Sequence, residues 1–92
     1  MIVKYFAYFR DQTHCKEEAF SFGELSALQL LINIADKYGQ TFTSQLLTDD
    51  KRDINKDVIF LINGRNIDFI DGKSTKIEGT DMISLFPRIA GG

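Results

Sequence analysis

Only one stretch of this sequence, residues 24–38, carries helical periodicity, and it lies among segments that read as strands. Leu25, Leu28, Leu31, Ile32 and Ala35 recur at helical spacing and form an apolar stripe of about three turns. Lys37 places a cation in the last turn, and Gly39 stands where a glycine ends a helix. A single amphipathic helix needs an apolar surface to cover. The flanking segments supply it as a sheet, so the pattern predicts a two-layer α+β domain with one main helix packed on one face of a mixed sheet.

Residues 2–10, IVKYFAYFR, are rich in β-forming residues. Lys4 and Arg10 mark the solvent side of this strand, which sends Val3, Tyr5, Ala7 and Phe9 inward and Phe6 and Tyr8 outward. Residues 11–14 read as a turn and 15–22 as a weaker second strand. After the helix, residues 40–56 read as a loop with one helical turn, with an apolar island at Phe42, Leu46 and Leu47. Residues 57–63, DVIFLIN, form a nearly continuous apolar run, the pattern of a central strand covered on both faces. Asn63-Gly64 is a strong hairpin signal, followed by a return strand over 65–70. Asp71-Gly72 and Glu78-Gly79-Thr80-Asp81 mark two further turns. Residues 82–86 form the last strand, which Pro87 ends because proline cannot donate to a ladder. The predicted order is β-β-α-(loop)-β-β-β in one domain spanning residues 1–92, with a flexible tail from about residue 87 to 92.

Composition excludes several classes. A formal net charge of -2 argues against a nucleic-acid surface or an anionic membrane as the main partner. The single cysteine, Cys15, cannot form an internal disulfide, and no Cys/His cluster offers a metal site. No apolar run approaches the roughly 20 residues of a membrane span, and the N-terminal segment lacks the features of a signal peptide. A cytoplasmic location is the expectation.

Few residues point to chemistry within the chain. His14 beside Cys15 could suggest an activated thiol, but neighbouring strand residues point to opposite faces and no third group orients them. The run Asp49-Asp50-Lys51-Arg52-Asp53 mixes both signs and reads as a solvated loop. The glycines form no phosphate-binding pattern. Outward Phe6, Tyr8 and Phe86 are different. With the first and last strands as neighbours, they build an apolar patch on the helix-free face, and contiguous patches mark binding surfaces.

The sequence closes on Phe86-Pro87-Arg88-Ile89-Ala90-Gly91-Gly92. Two glycines add no burial to a core and cost the most backbone entropy to order. Without Cβ atoms they can thread a channel too narrow for side chains. A terminal carboxylate, ionised at neutral pH, becomes a reactive acyl group once a partner adenylates it.

Residues 60–92 resemble the C-terminal half of the β-grasp (ubiquitin-like) sulfur carriers, which include the small subunit of molybdopterin synthase and the thiamine-pathway carrier. Asn63-Gly64, Asp71-Gly72, Gly79-Thr80-Asp81, Phe86-Pro87 and Gly91-Gly92 fall in the family's order, and the first strand and Leu-rich helix extend the likeness over nearly the whole chain. Arg88 stands where the molybdopterin type usually has a second proline, and residues 40–56 are longer than usual. The length favours the molybdopterin type.

The resemblance implies a β-grasp fold and a carrier that is no enzyme on its own. A ubiquitin-activating-type adenylyltransferase would use ATP on the Gly92 carboxylate, and a sulfur donor would convert it to a thiocarboxylate. The larger molybdopterin synthase subunit, in a heterotetramer, would accept the tail so that sulfur passes to a pterin precursor. Gly92 would carry sulfur, and Gly91 would let the tail thread. Phe86, Pro87, Arg88, Ile89, Phe6 and Tyr8 would hold the partner. No metal or tightly bound cofactor is implied. Three alternatives stay open: a carrier for another pathway such as thiamine, a protein modifier that passes its activated tail to lysines, and an interaction module whose diglycine is incidental.

Overall fold

The computed structural model describes residues 1–88; Ile89, Ala90, Gly91 and Gly92 lie outside the described residues. Among the described residues, seven strands and three α-helices follow one another as β1 (Ile2–Tyr5), α1 (Tyr8–Thr13), β2 (Glu17–Ala19), β3 (Leu25–Ser26), α2 (Ala27–Tyr38), α3 (Gln40–Leu46), β4 (Val58–Ile62), β5 (Arg65–Asn66), β6 (Lys76–Ile77) and β7 (Met82–Pro87), with 3-10 turns at Ile67–Phe69 and Gly72–Ser74. Five strands form a mixed sheet in the order β2-β1-β7-β4-β5. The central pair β1 and β7 runs parallel, with Val3 opposite Ile83 and Tyr5 opposite Leu85, and the other pairs are antiparallel. β3 and β6 make a separate two-stranded ribbon.

Alternation along the three central strands sorts the layers. Val3 and Tyr5, Ile83 and Leu85, and Val58, Phe60 and Ile62 are buried under the helices. The helix that covers them starts three residues later than the periodicity suggests, because Ser26 and Gln29 close a reciprocal capping box there. Its buried face is Ala27, Leu30, Leu31, Ile34 and Ala35. The predicted stripe is therefore rotated. Leu31 and Ala35 hold, Leu28 and Ile32 are half-buried at the flank, and Leu25 belongs to β3. Gly39 ends the helix as expected, at φ 95°, a conformation that favours glycine.

Three regions depart from the sequence reading. The return strand expected over 65–70 is only Arg65–Asn66, because Ile67–Phe69 winds into a 3-10 helix. The strand expected over residues 2–10 stops at Tyr5, and Ala7, at φ 53°, turns the chain into α1. Ala7 is exposed rather than inward, and Phe9 reaches the core from a helix instead of a strand. Residues 40–46 form two turns of α3 rather than one turn in a loop. The Thr43 hydroxyl donates to the Gly39 carbonyl at 2.9 Å, and Phe42 meets Tyr5, Phe9 and Tyr38 edge-on at 5.5–6.2 Å between ring centroids. The apolar island is thus core, because it closes an aromatic cluster behind α2. The Asn63-Gly64 turn forms as expected, with both residues at positive φ.

Candidate partner-docking face

Parallel pairing of β1 with β7 carries the two chains past Tyr5 and Leu85 in register, so the next residues, Phe6 and Phe86, lie side by side on the helix-free face. Their rings stack with centroids 4.1 Å apart and planes 9° from parallel. The Phe6 amide N–H donates to the Leu85 carbonyl at 3.1 Å, which holds the first residue beyond β1 against β7. Arg10 completes the group. Its Nε donates to the Tyr5 carbonyl at 3.3 Å, and its guanidinium carbon stands 5.9 Å from the Phe6 ring centroid, a cation–π arrangement.

The same face gathers more apolar side chains than the sequence reading named. Ile59 lies opposite Phe86 and Leu61 opposite Ser84 on β4, while Ile2 pairs with Met82 at the other end of β1. Lys4 and Ser84 sit opposite each other between these groups. Ile59 and Leu61 were masked by their run. A continuous apolar strand predicts cover on both faces, whereas here only Val58, Phe60 and Ile62 are covered. The apolar residues on the other parity are the signal that could have revealed the patch.

The remaining named residues separate. Tyr8 is 43% exposed on α1, edge-on to Phe9 and outside the stack. Pro87 is buried opposite Val58, on the covered side of the sheet, so its ring adds nothing to the open face. Arg88 is exposed and latched to the entry of β4, with its amide on the Asp57 carbonyl and its Nε 3.4 Å from the Lys56 carbonyl. Ile89, Gly91 and Gly92 fall outside the described residues.

No catalytic constellation emerges among the described residues. His14 caps α1 in a left-handed conformation and is exposed, while the Cys15 sulfur lies 3.9 Å from the Tyr38 hydroxyl. One part-buried charged cluster is structural. Glu18, on β2, accepts from the Tyr5 hydroxyl at 2.5 Å, the Tyr38 hydroxyl at 2.7 Å and the Lys37 ammonium at 2.6 Å. Burial alone would raise its carboxyl, but the three donors outweigh it and hold the group below the usual carboxylate range. Burial, then the bond to Glu18, pushes both tyrosine hydroxyls upward. This knot fastens the edge strand to β1 and to the end of α2. No group of residues suited to holding a metal ion occurs among the described residues.

The ThiS family profile matches residues 3–92. This chain belongs to the ThiS family. Solved structures agree in fold. A small archaeal modifier protein 1 from Methanosarcina acetivorans superposes with a TM-score of 0.80 at 26% identity, covering 99% of this chain and 94% of that one. The Amycolatopsis orientalis BexX/CysO complex contains a chain with a TM-score of 0.80 at 15% identity, covering 99% and 98%. A Pyrococcus furiosus protein provisionally named molybdopterin converting factor, subunit 1, gives 0.74 at 23% identity, covering 96% and 95%. No curated protein matches significantly by sequence. This ThiS-family chain therefore has the β-grasp, ubiquitin-like fold shared by sulfur carriers and small modifiers. Among its described residues, no helix is long and apolar enough to cross a membrane.

Proposed function

We propose that this chain is a sulfur carrier acting as the small subunit of a molybdopterin synthase. The observation that carries the reading is the Phe6–Phe86 stack, an apolar docking surface that ends two residues before the described chain does. Family membership and the Gly91-Gly92 end of the sequence support it. A ubiquitin-activating-type enzyme binds the open face and presents the Gly92 carboxylate to ATP. The carboxylate attacks the α-phosphorus, pyrophosphate leaves, and an acyl-adenylate forms. A hydrosulfide-equivalent donor then displaces AMP to give the thiocarboxylate. The larger synthase subunit docks on the same face, and the carrier delivers sulfur to a pterin precursor. Glycine suits the acyl position because it places no side chain against the incoming nucleophile. Docking holds the reacting atom in place, where positioning supplies much of the rate.

Intact-mass measurement tests this. Incubation with an activating enzyme, ATP and a sulfur donor should replace one oxygen of the chain by sulfur, and the product should then support dithiolene formation with a large subunit. The likeness to the Methanosarcina modifier protein favours a second reading, in which the activated tail passes to lysines. Isopeptide-linked Gly92 on other proteins, with no sulfur transfer to a pterin, would establish that reading instead.

A further inference from the structure

The open face is not the only unfinished surface of the sheet. β4 pairs with β7 along its whole length, but on its other side β5 meets only Leu61 and Ile62, because Ile67–Phe69 turns away as a 3-10 helix. Asn63 and Asp57 bond toward β7, through the Met82 carbonyl and the Arg88 amide. Alternation then directs the backbone groups of Val58 and Phe60 the other way. The Val58 amide folds back onto the Asn55 carbonyl at 3.0 Å. Among the described residues, no turn, loop or side-chain hydrogen bond reaches the Val58 carbonyl. Exposed strand edges are usually blunted by a proline, an inward charge or a covering segment. Here a cleft of about 440 Å³ runs alongside instead.

The cleft has an apolar floor and a charged rim. Val58, Phe60 and Ile67 form the floor. Asp53, Asp68 and Asp71 stand at the rim against Lys56 and Lys73. Three carboxylates against two ammoniums give the rim a net negative charge, and the Lys73 ammonium is held in place by donating to the Arg52 carbonyl at 2.9 Å. Phe69, next to Asp68 in the chain, is 82% exposed.

We propose that the leading half of β4 accepts an extended peptide of a partner protein, with apolar residues alternating with lysine or arginine. The peptide adds as a short strand beside Val58–Phe60. Main-chain hydrogen bonds supply affinity, and alternate side chains read the floor and the rim. Three residues of strand span about 10 Å, in keeping with a cleft of this size. Small apolar side chains on one parity cover the little surface that Val58 and Ile67 leave open, and cationic ones on the other meet the carboxylates. This site lies at a different edge from the Phe6–Phe86 face, so a partner could occupy both.

The test is a titration of the isotopically labelled full chain with acetyl-Lys-Val-Lys-Val-Lys-Val-amide, followed by amide chemical shifts. Shifts are expected at residues 57–60 and 71–74. Replacing the lysines by glutamates, or methylating the peptide amides that face β4, should weaken binding by roughly tenfold or more. The double variant Asp68→Asn, Asp71→Asn should weaken it severalfold while leaving the fold intact, since among the described residues both take part in side-chain hydrogen bonding through their backbone amides only. Shifts centred on Phe6 and Phe86, no shifts at all, or equal binding by the methylated peptide would overturn the proposal. So would concentration-dependent shifts at the same residues without peptide, which would make the occupant a second copy. Loss of those shifts on removing residues 89–92 would make it the chain's own end.

Discussion

Phe6 and Phe86 lie face to face because the two strands before them run parallel, and this stack closes one end of the open face. Interface energy concentrates in a few central aromatics, each worth about 2 kcal/mol or more on truncation. Phe86→Asp should therefore weaken binding to the activating enzyme and the large subunit far more than it lowers stability, because Phe86 is only half-buried in the lone chain. Partner affinity beside a thermal melt checks this. A variant that folds and binds normally would place the docking surface elsewhere.

The tail should be chemically essential and thermodynamically silent. Deleting Gly92, or adding one residue after it, should abolish sulfur transfer while the melting temperature hardly moves, since glycine has no side chain to bury. Substantial activity in the deletion variant would end the carrier reading.

Helix α2 should show a rotated pattern of sensitivity. Leu30→Ala and Leu31→Ala, both at fully buried positions, should each cost about 2–5 kcal/mol. Leu28→Ala, at a half-buried position, should cost clearly less, and Asn33→Ala less still. Gln29 is exposed but completes the capping box, so its alanine variant should lose about 0.5–1 kcal/mol. Denaturant unfolding of the five variants ranks them directly.

The Glu18 knot predicts a particular response to acid. Its carboxyl is held low, so the stabilisation is present above the unfolded value of about 4.3 and is lost as pH falls through the lower folded value. Glu18→Gln should cost about 1–3 kcal/mol at neutral pH, and the gap to the parent should close below pH 4. At the alkaline end the sign reverses. Tyr5 and Tyr38 are pushed up, so stability is full below about pH 10 and falls as pH rises further. A stability difference for Glu18→Gln that does not change between neutral and acid pH would refute the network's role.

Ala7 adopts φ 53° and ψ -136°, a region nearly reserved for glycine. Ala7→Gly should stabilise the chain by about 1 kcal/mol, the relief of strain exceeding the added freedom of the unfolded state. If it destabilises the chain instead, the turn before α1 is not strained as described.

Features governed by neighbouring residues were legible in the sequence. The Asn63-Gly64 hairpin, the end of α2 at Gly39 and the strand character of residues 58–62 follow from backbone conformations that particular residues prefer. The capping box was equally legible as Ser26 followed three residues later by Gln29, and it would have placed the start of α2 correctly. The role proposed for Gly91-Gly92 rests on the sequence alone, because both residues lie outside the described ones.

What only the tertiary structure decided are matters of which surface meets which. Alternation from Val3 to Phe9 reads as one strand, yet Ala7 breaks it, because α1 lets Phe9 reach the Phe42 cluster. The apolar stripe of α2 is ambiguous by one residue until the sheet selects Leu30 and Ile34 over Leu28 and Ile32. The run in β4 looks equally apolar on both parities, and only the placement of the helices leaves Ile59 and Leu61 on the open face. Phe6 and Phe86 are 80 positions apart, and their contact exists because β1 and β7 pair in parallel at the centre of the sheet. Local chemistry sets conformation over a few residues. Burial is a property of the whole packed chain, and here it decides which apolar side chains become core and which remain available to a partner.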